Sequence, residues 1–146
     1  YARYREMLDR LIEAYPDKHY ASRVALLPFI SEMDIAFAAA DAVISRSGAG
    51  TLSELCIVGK PAILIPSPNV AEDHQRHNAQ ALSSRSAAIL IPESEKLPFE
   101  LGDAVMRLIK DPALCQDLSR NISEMARPHA TSDIVDQVEK LLKEKR

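Results

Sequence analysis

The chain has 146 residues, the size of one ordinary domain, which buries about 68–70% of its unfolded surface. Hydrophobic residues at 47% and charged residues at 27% exclude disorder, a collagen-like repeat and a disulfide-stapled miniprotein. A net charge of −3 argues against a nucleic-acid binder, a class that is usually basic.

The chain opens on Tyr1 rather than Met, directly in a helical pattern, and reads as a piece of something longer. Its two cysteines, Cys56 and Cys115, have no Cys-x-x-Cys spacing. They read as buried reduced thiols, which favours the cytoplasm. No apolar run approaches the ~20 residues of a membrane helix.

Taken in chain order, Tyr4, Met7, Leu8, Leu11, Ile12 and Tyr15 repeat at i, i+3, i+4 and predict an amphipathic helix that Pro16 ends. Val24 to Phe29 predicts a strand, Met33 to Ala40 a helix and Ala42 to Ser45 a second strand. Thr51 to Val58 predicts a helix stopped by Gly59 and Pro61. A third strand at Ala62 to Pro66, a helix at Asp73 to Ser84 and a fourth strand at Ala87 to Ile91 follow. The last third is helical. It runs Leu97 to Ile109, then a helix that Asp111-Pro112 opens, then one that Thr131-Ser132-Asp133 caps. Lys140, Lys143, Lys145 and Arg146 complement the dipole at its end. The strands are near-continuous apolar runs, as in parallel sheets buried on both faces. The fold class expected is α/β, a Rossmann-like doubly wound parallel sheet with about four strands and extra C-terminal helices.

Three segments at strand ends carry chemistry. Ser45-Arg46-Ser47-Gly48-Ala49-Gly50-Thr51-Leu52-Ser53-Glu54 joins a buried strand to a helix and holds two of the four glycines. It lies where α/β sheets bind ligands, and the helix start suits a phosphate. Glu54, one turn on, can accept hydrogen bonds from a sugar diol. Equally, Gly48 and Gly50 can simply make a tight turn, with Thr51 and Glu54 as a capping box. Without a third glycine or a Walker lysine the motif is weak alone.

The second segment runs from Pro66 to Ala79 and concentrates Asp73, Gln75 and Asn78 in the opening turns of a helix. Gln75 and Asn78 share a face, and amides suit neutral hydroxyls. His74 and His77 are also three apart, but a third metal ligand at suitable spacing is missing. The third segment is Pro28 to Met33, where an apolar pair and the Ile30 backbone can meet a flat base or merely pack in the core. A triad of Ser45, His74 and Asp73 is disfavoured, since the Gly-x-Ser-x-Gly elbow is missing.

These motifs occur together in one order. Pro28-Phe29-Ile30 with Met33 comes first, then Ala38-Ala39-Ala40-Asp41, then Ser45-Arg46 with Gly48-Ala49, Thr51 and Glu54. Gly59-x-Pro61 leading into Leu64-Ile65-Pro66 follows, and Asp73-His74-Gln75 with Asn78-Ala79 closes the series. The combination resembles the C-terminal domain of the MurG family, bacterial UDP-N-acetylglucosamine transferases, closely over 26–92 and loosely on either side.

The resemblance implies half of a GT-B fold and a substrate site for UDP-GlcNAc. The backbone of Ile30 would meet the uracil. Gly48, Ala49, Gly50 and Thr51 would face ribose and diphosphate, and Glu54 the ribose hydroxyls. His74, Gln75 and Asn78 would read the N-acetylglucosamine, although His74 is glutamine in some relatives. Arg46 is expected to support the loop rather than bind phosphate.

The activity implied is inverting transfer of GlcNAc to undecaprenyl-diphosphate-MurNAc-pentapeptide, lipid I to lipid II, in peptidoglycan synthesis. The resemblance implies no obligatory metal or other cofactor. It places the full-length protein at the inner face of the cytoplasmic membrane. The alternative is a stand-alone donor-binding subunit or domain of another GT-B sugar-nucleotide transferase. Residues 1–146 depart from the family's whole pattern. The N-terminal domain, expected to hold the acceptor site, the membrane-facing patch and the general base, is absent. So are the first strand and glycine-rich turn of the C-terminal domain. No catalytic residue is therefore expected in this chain, and turnover by it alone is not expected.

Overall fold

The computed structural model describes residues 2–69 and 73–144, with Tyr20 described by its backbone alone. Val70, Ala71 and Glu72 of the second segment lie outside the described residues, as do Lys145 and Arg146 of the terminal basic cluster. The chain divides into two compact units, Tyr1–Ala36 and Phe37–Arg146.

The first unit is helical. Helix α1 (Ala2–Ala14) buries Leu8, and Pro16–Lys18 forms a short 3-10 turn before α2 (Tyr20–Arg23). The strand expected at Val24 to Phe29 is not formed; that stretch is irregular. A fully apolar strand needs neighbours to take up its backbone groups, and Pro28 lacks the N–H to offer one. No strand lies within this unit among the described residues. Leu27 and Phe29 are accordingly 58% and 80% exposed. Helix α3 (Met33–Ala39) then runs across the division between the units.

Among the described residues the second unit carries a sheet of three parallel strands rather than four, β1 (Val43–Ser45), β2 (Ala62–Leu64) and β3 (Ile89–Leu90), in the order β1-β2-β3. Val43 pairs with Ala62 and Ile63 with Ile89, so all three strands end on one edge. Helix α4 (Ala49–Val58) connects β1 to β2, and α5 (His74–Ser83) connects β2 to β3. The apolar run in β2 is buried throughout. Leu55, Ile63, Leu64 and Ile122 are fully buried, each contributing about 1.5–3 kcal/mol of burial energy. Leu52, Leu55 and Cys56 of α4 pack with Ala79 and Leu82 of α5 in one cluster; Ile63 packs with Ala104, Leu108 and Leu118 in another.

Local chemistry sets the helix ends. Gly59 adopts the left-handed conformation at the end of α4 (φ 67°), and its N–H reaches the Leu55 carbonyl at 2.9 Å. Its carbonyl accepts from the Ser119 hydroxyl. Helix α6 (Leu97–Lys110) ends at Asp111, whose carboxylate accepts from the Leu114 N–H at 3.0 Å and caps α7 (Pro112–Ser123). Helix α8 (Ala130–Glu144) carries the expected apolar stripe, but none of its residues is buried. Cys56 is buried as expected, and Cys115 only half so, its thiol donating to the Leu108 carbonyl at 3.1 Å.

Candidate nucleotide-sugar site

The Ser45–Glu54 segment turns from β1 directly into α4, two residues earlier than the periodicity predicts. Gly48 is the N-cap, with φ −64° and ψ 147°. Its conformation is extended, and Gly59 is the chain's positive-φ glycine among the described residues. Gly48 and Gly50 thus do not serve a left-handed turn. What glycine provides here is space. A Cβ on Gly48 would meet no protein atom nearer than the Thr51 hydroxyl oxygen at 4.0 Å, and one on Gly50 nothing within 4 Å.

With Gly48 as N-cap, Thr51 lies inside the helix, so the Thr51–Glu54 capping box does not form. No side chain caps this end, and the first turn holds no acidic residue. The first intrahelical bond runs from the Leu52 N–H to the Gly48 carbonyl at 3.0 Å. The amides of Ala49, Gly50 and Thr51 precede it and have no intrahelical acceptor. N–H groups left free at the positive end of a helix dipole are suited to an anion. Thr51 is half-buried and Glu54 exposed. Three residues apart, they share one face of α4.

The side chains of Arg46 and Ser47 brace this turn against its neighbours. Arg46 donates to the Ile65 carbonyl at 3.2 Å and pairs with Glu93 at 2.5 Å, holding the ends of β1 and β2 and the loop after β3. That is the supporting role expected of it. Ser47 is wholly buried and donates to the Gln75 carbonyl at 2.7 Å. The Asn78 amide nitrogen donates back to the Ser47 carbonyl at 3.1 Å. The Ser67 N–H donates to Gln75 Oε1 at 3.0 Å. Since a backbone N–H must donate and a backbone carbonyl must accept, both amides have fixed orientations. The Gln75 Nε2 donors and the Asn78 Oδ1 acceptor are the ends of these amides that the bonds leave uncommitted.

Structure therefore brings Gly48, Ala49, Gly50, Thr51 and Glu54 on α4 next to Gln75 and Asn78 on α5, with Ser47 between them. His74 is the first residue of α5 and is exposed, as is His77. Asp73, the α5 N-cap, has φ 52° and lies 3.7 Å from Arg76. Among the described residues no three His, Cys, Asp or Glu side chains gather. Ser45 donates its hydroxyl to the Arg46 carbonyl at 2.8 Å. Ile30 belongs to the first unit, exposed and outside regular secondary structure.

A cleft of about 160 Å³ opens on the same sheet edge between the β2–α5 and β3–α6 loops, lined among others by Ser67, Asp73, Arg76 and Glu93. Sequence reasoning missed Ser47 and Glu93. Their partners lie 28 and 47 residues away, and no local pattern marks them.

The family model of the glycosyltransferase family 28 C-terminal domain matches residues 8–141. A protein of Flavobacterium psychrophilum is 56% identical over 119 residues, covering 82% of this chain and 32% of that protein. One from Porphyromonas gingivalis is 48% identical over 126 residues, covering 86% of this chain and 33% of the relative. Both are named UDP-N-acetylglucosamine–N-acetylmuramyl-(pentapeptide) pyrophosphoryl-undecaprenol N-acetylglucosamine transferase. The crystal structure of Acinetobacter baumannii MurG matches with a TM-score of 0.69 at 30% identity, over 80% of this chain and 33% of that one. The chain spans about a third of the length of the curated relatives it matches. On its match over 8–141 and on these identities, the chain belongs to the glycosyltransferase family 28 C-terminal domain family.

Proposed function

We propose that this chain is the donor-binding part of a hexosyltransferase that takes N-acetylglucosamine from UDP-GlcNAc and passes it to the lipid-linked muramyl-pentapeptide acceptor named for its relatives. The observation that carries the reading is the uncapped start of α4, fixed beside the amide face of α5 on one sheet edge. The diphosphate is held by the amides of Ala49, Gly50 and Thr51, and the ribose hydroxyls by Glu54. The sugar lies toward His74, Gln75 and Asn78.

In this reading the acceptor hydroxyl oxygen bonds to the anomeric carbon as the bond from that carbon to the diphosphate oxygen breaks. The configuration inverts, the hydroxyl proton passes to a base outside this chain, and UDP leaves. Negative charge grows on the diphosphate during that step, where the α4 amides stabilise it more than in the ground state. Neither a metal nor another cofactor has a part in the proposal. The acceptor site belongs to the portion of the relatives that this chain does not span. The place of action proposed is the inner face of the cytoplasmic membrane. Among the described residues no helix is long and apolar enough to cross one.

Titration calorimetry of the chain with UDP-GlcNAc, set against GDP-mannose, tests the reading. UDP-GlcNAc is expected to bind more tightly; equal binding of the two, or binding of neither, overturns it.

A further inference from the structure

Among the described residues, Ser47 is the one polar or charged side chain that is buried, at 0% exposure. Burying a hydroxyl is unfavourable unless it is hydrogen-bonded, and the bond Ser47 makes is not a local one. It reaches 28 residues along the chain, to the Gln75 carbonyl in the first turn of α5. The Asn78 amide returns the contact, donating across 31 residues to the Ser47 carbonyl. Two bonds in opposite directions join the residue before the α4 N-cap to both ends of the first turn of α5. A third, from the Ser67 N–H to Gln75 Oε1, ties the β2–α5 loop into the same set.

We infer that Ser47 is a positioning residue that sets the spacing between the diphosphate-facing start of α4 and the sugar-facing start of α5. The inference rests on the donor-site reading proposed above. It adds a selectivity that reading does not contain. A free nucleotide engages the α4 side alone, whereas a nucleotide-sugar spans both helices. Loss of the Ser47 hydroxyl frees the first turn of α5 and leaves the Gln75 carbonyl without that donor, while Gly48 to Thr51 keep their place in α4. The loss therefore falls on the sugar-bearing ligand. Being wholly buried, Ser47 touches neither ligand, so a selective effect cannot come from a deleted ligand contact.

The test is calorimetric titration of the wild-type chain, Ser47→Ala and Ser47→Cys with UDP and with UDP-GlcNAc, alongside thermal melts. Ser47→Ala is expected to weaken UDP-GlcNAc roughly fivefold to thirtyfold, the range for one lost buried hydrogen bond, and to leave UDP within about twofold. Ser47→Cys keeps the volume and a weak donor, so it protects the result if the alanine variant does not fold. It is expected to show the same selectivity at a smaller size. Equal weakening of both ligands, or no change in either, overturns the positioning role while the donor-site reading stands. A wild-type chain that binds neither ligand overturns both.

Discussion

Gly48→Ala separates a ligand-binding helix start from a merely tight turn. Gly48 has φ −64° and ψ 147°, a conformation open to any residue, so alanine adds no backbone strain. Its new methyl meets no protein atom nearer than 4.0 Å. What the fold loses is the N-cap preference of glycine over alanine, about 0.5–1 kcal/mol. For a chain of this length that corresponds to a drop in Tm of roughly 1–4 °C. The ligand meets a different situation. The methyl enters the open space above the Ala49, Gly50 and Thr51 amides, where the diphosphate must approach to hydrogen-bond distance. Losing or lengthening one or two charge-assisted bonds costs about 1.5–3 kcal/mol, a Kd for UDP-GlcNAc about tenfold to a hundredfold higher. Calorimetry and a thermal melt on the same preparation read both quantities. A Tm shift within that range with a Kd unchanged within twofold would refute the claim that this helix start holds the diphosphate. A large loss of stability would refute the reading that the space above Gly48 is open.

Three further outcomes follow from the same geometry. Glu54→Ala removes an exposed carboxylate from α4, so the melt should move by less than about 2 °C while UDP affinity falls by about 1–3 kcal/mol; unchanged affinity removes Glu54 from the site. Gly59→Ala forces a left-handed residue and drives a methyl into the Ser123 hydroxyl oxygen, so urea denaturation should show a loss of about 1–3 kcal/mol, and a midpoint equal to wild type contradicts the cap geometry. Burial pushes the Cys56 thiol above its ordinary value of 9.0. Above pH 9.0 the unfolded chain gives up that proton first, so stability present below that pH declines as pH rises toward the folded value. In a thiol-labelling time course on the native chain Cys115 should react well before Cys56, and the reverse order contradicts the burial.

How far the site was legible depends on the range of each interaction. Strands β1 to β3 and helices α4 and α5 were readable because the strands lie in apolar runs, of which β2 alone is buried throughout, and because Gly59 gives α4 a local stop. The helix at Asp111-Pro112 was readable because its cap spans three residues. The run from Val24 to Phe29 is as apolar as β2. Composition records that a strand would be apolar, not that a neighbour is present to pair with it.

The amide-bearing residues of α5 show a second limit. Sequence assigned Gln75 and Asn78 to hydroxyls because amides both donate and accept. Structure commits half of each amide to the backbone of Ser67 and Ser47. The committed halves fix the orientation of the free halves, leaving a donor at Gln75 and an acceptor at Asn78. A hydroxyl that meets both must accept from the first and donate to the second, as a sugar hydroxyl can and an ether oxygen cannot. The orientation of both amides on this edge is therefore set by two backbone groups, the Ser67 N–H and the Ser47 carbonyl, the second belonging to a buried serine.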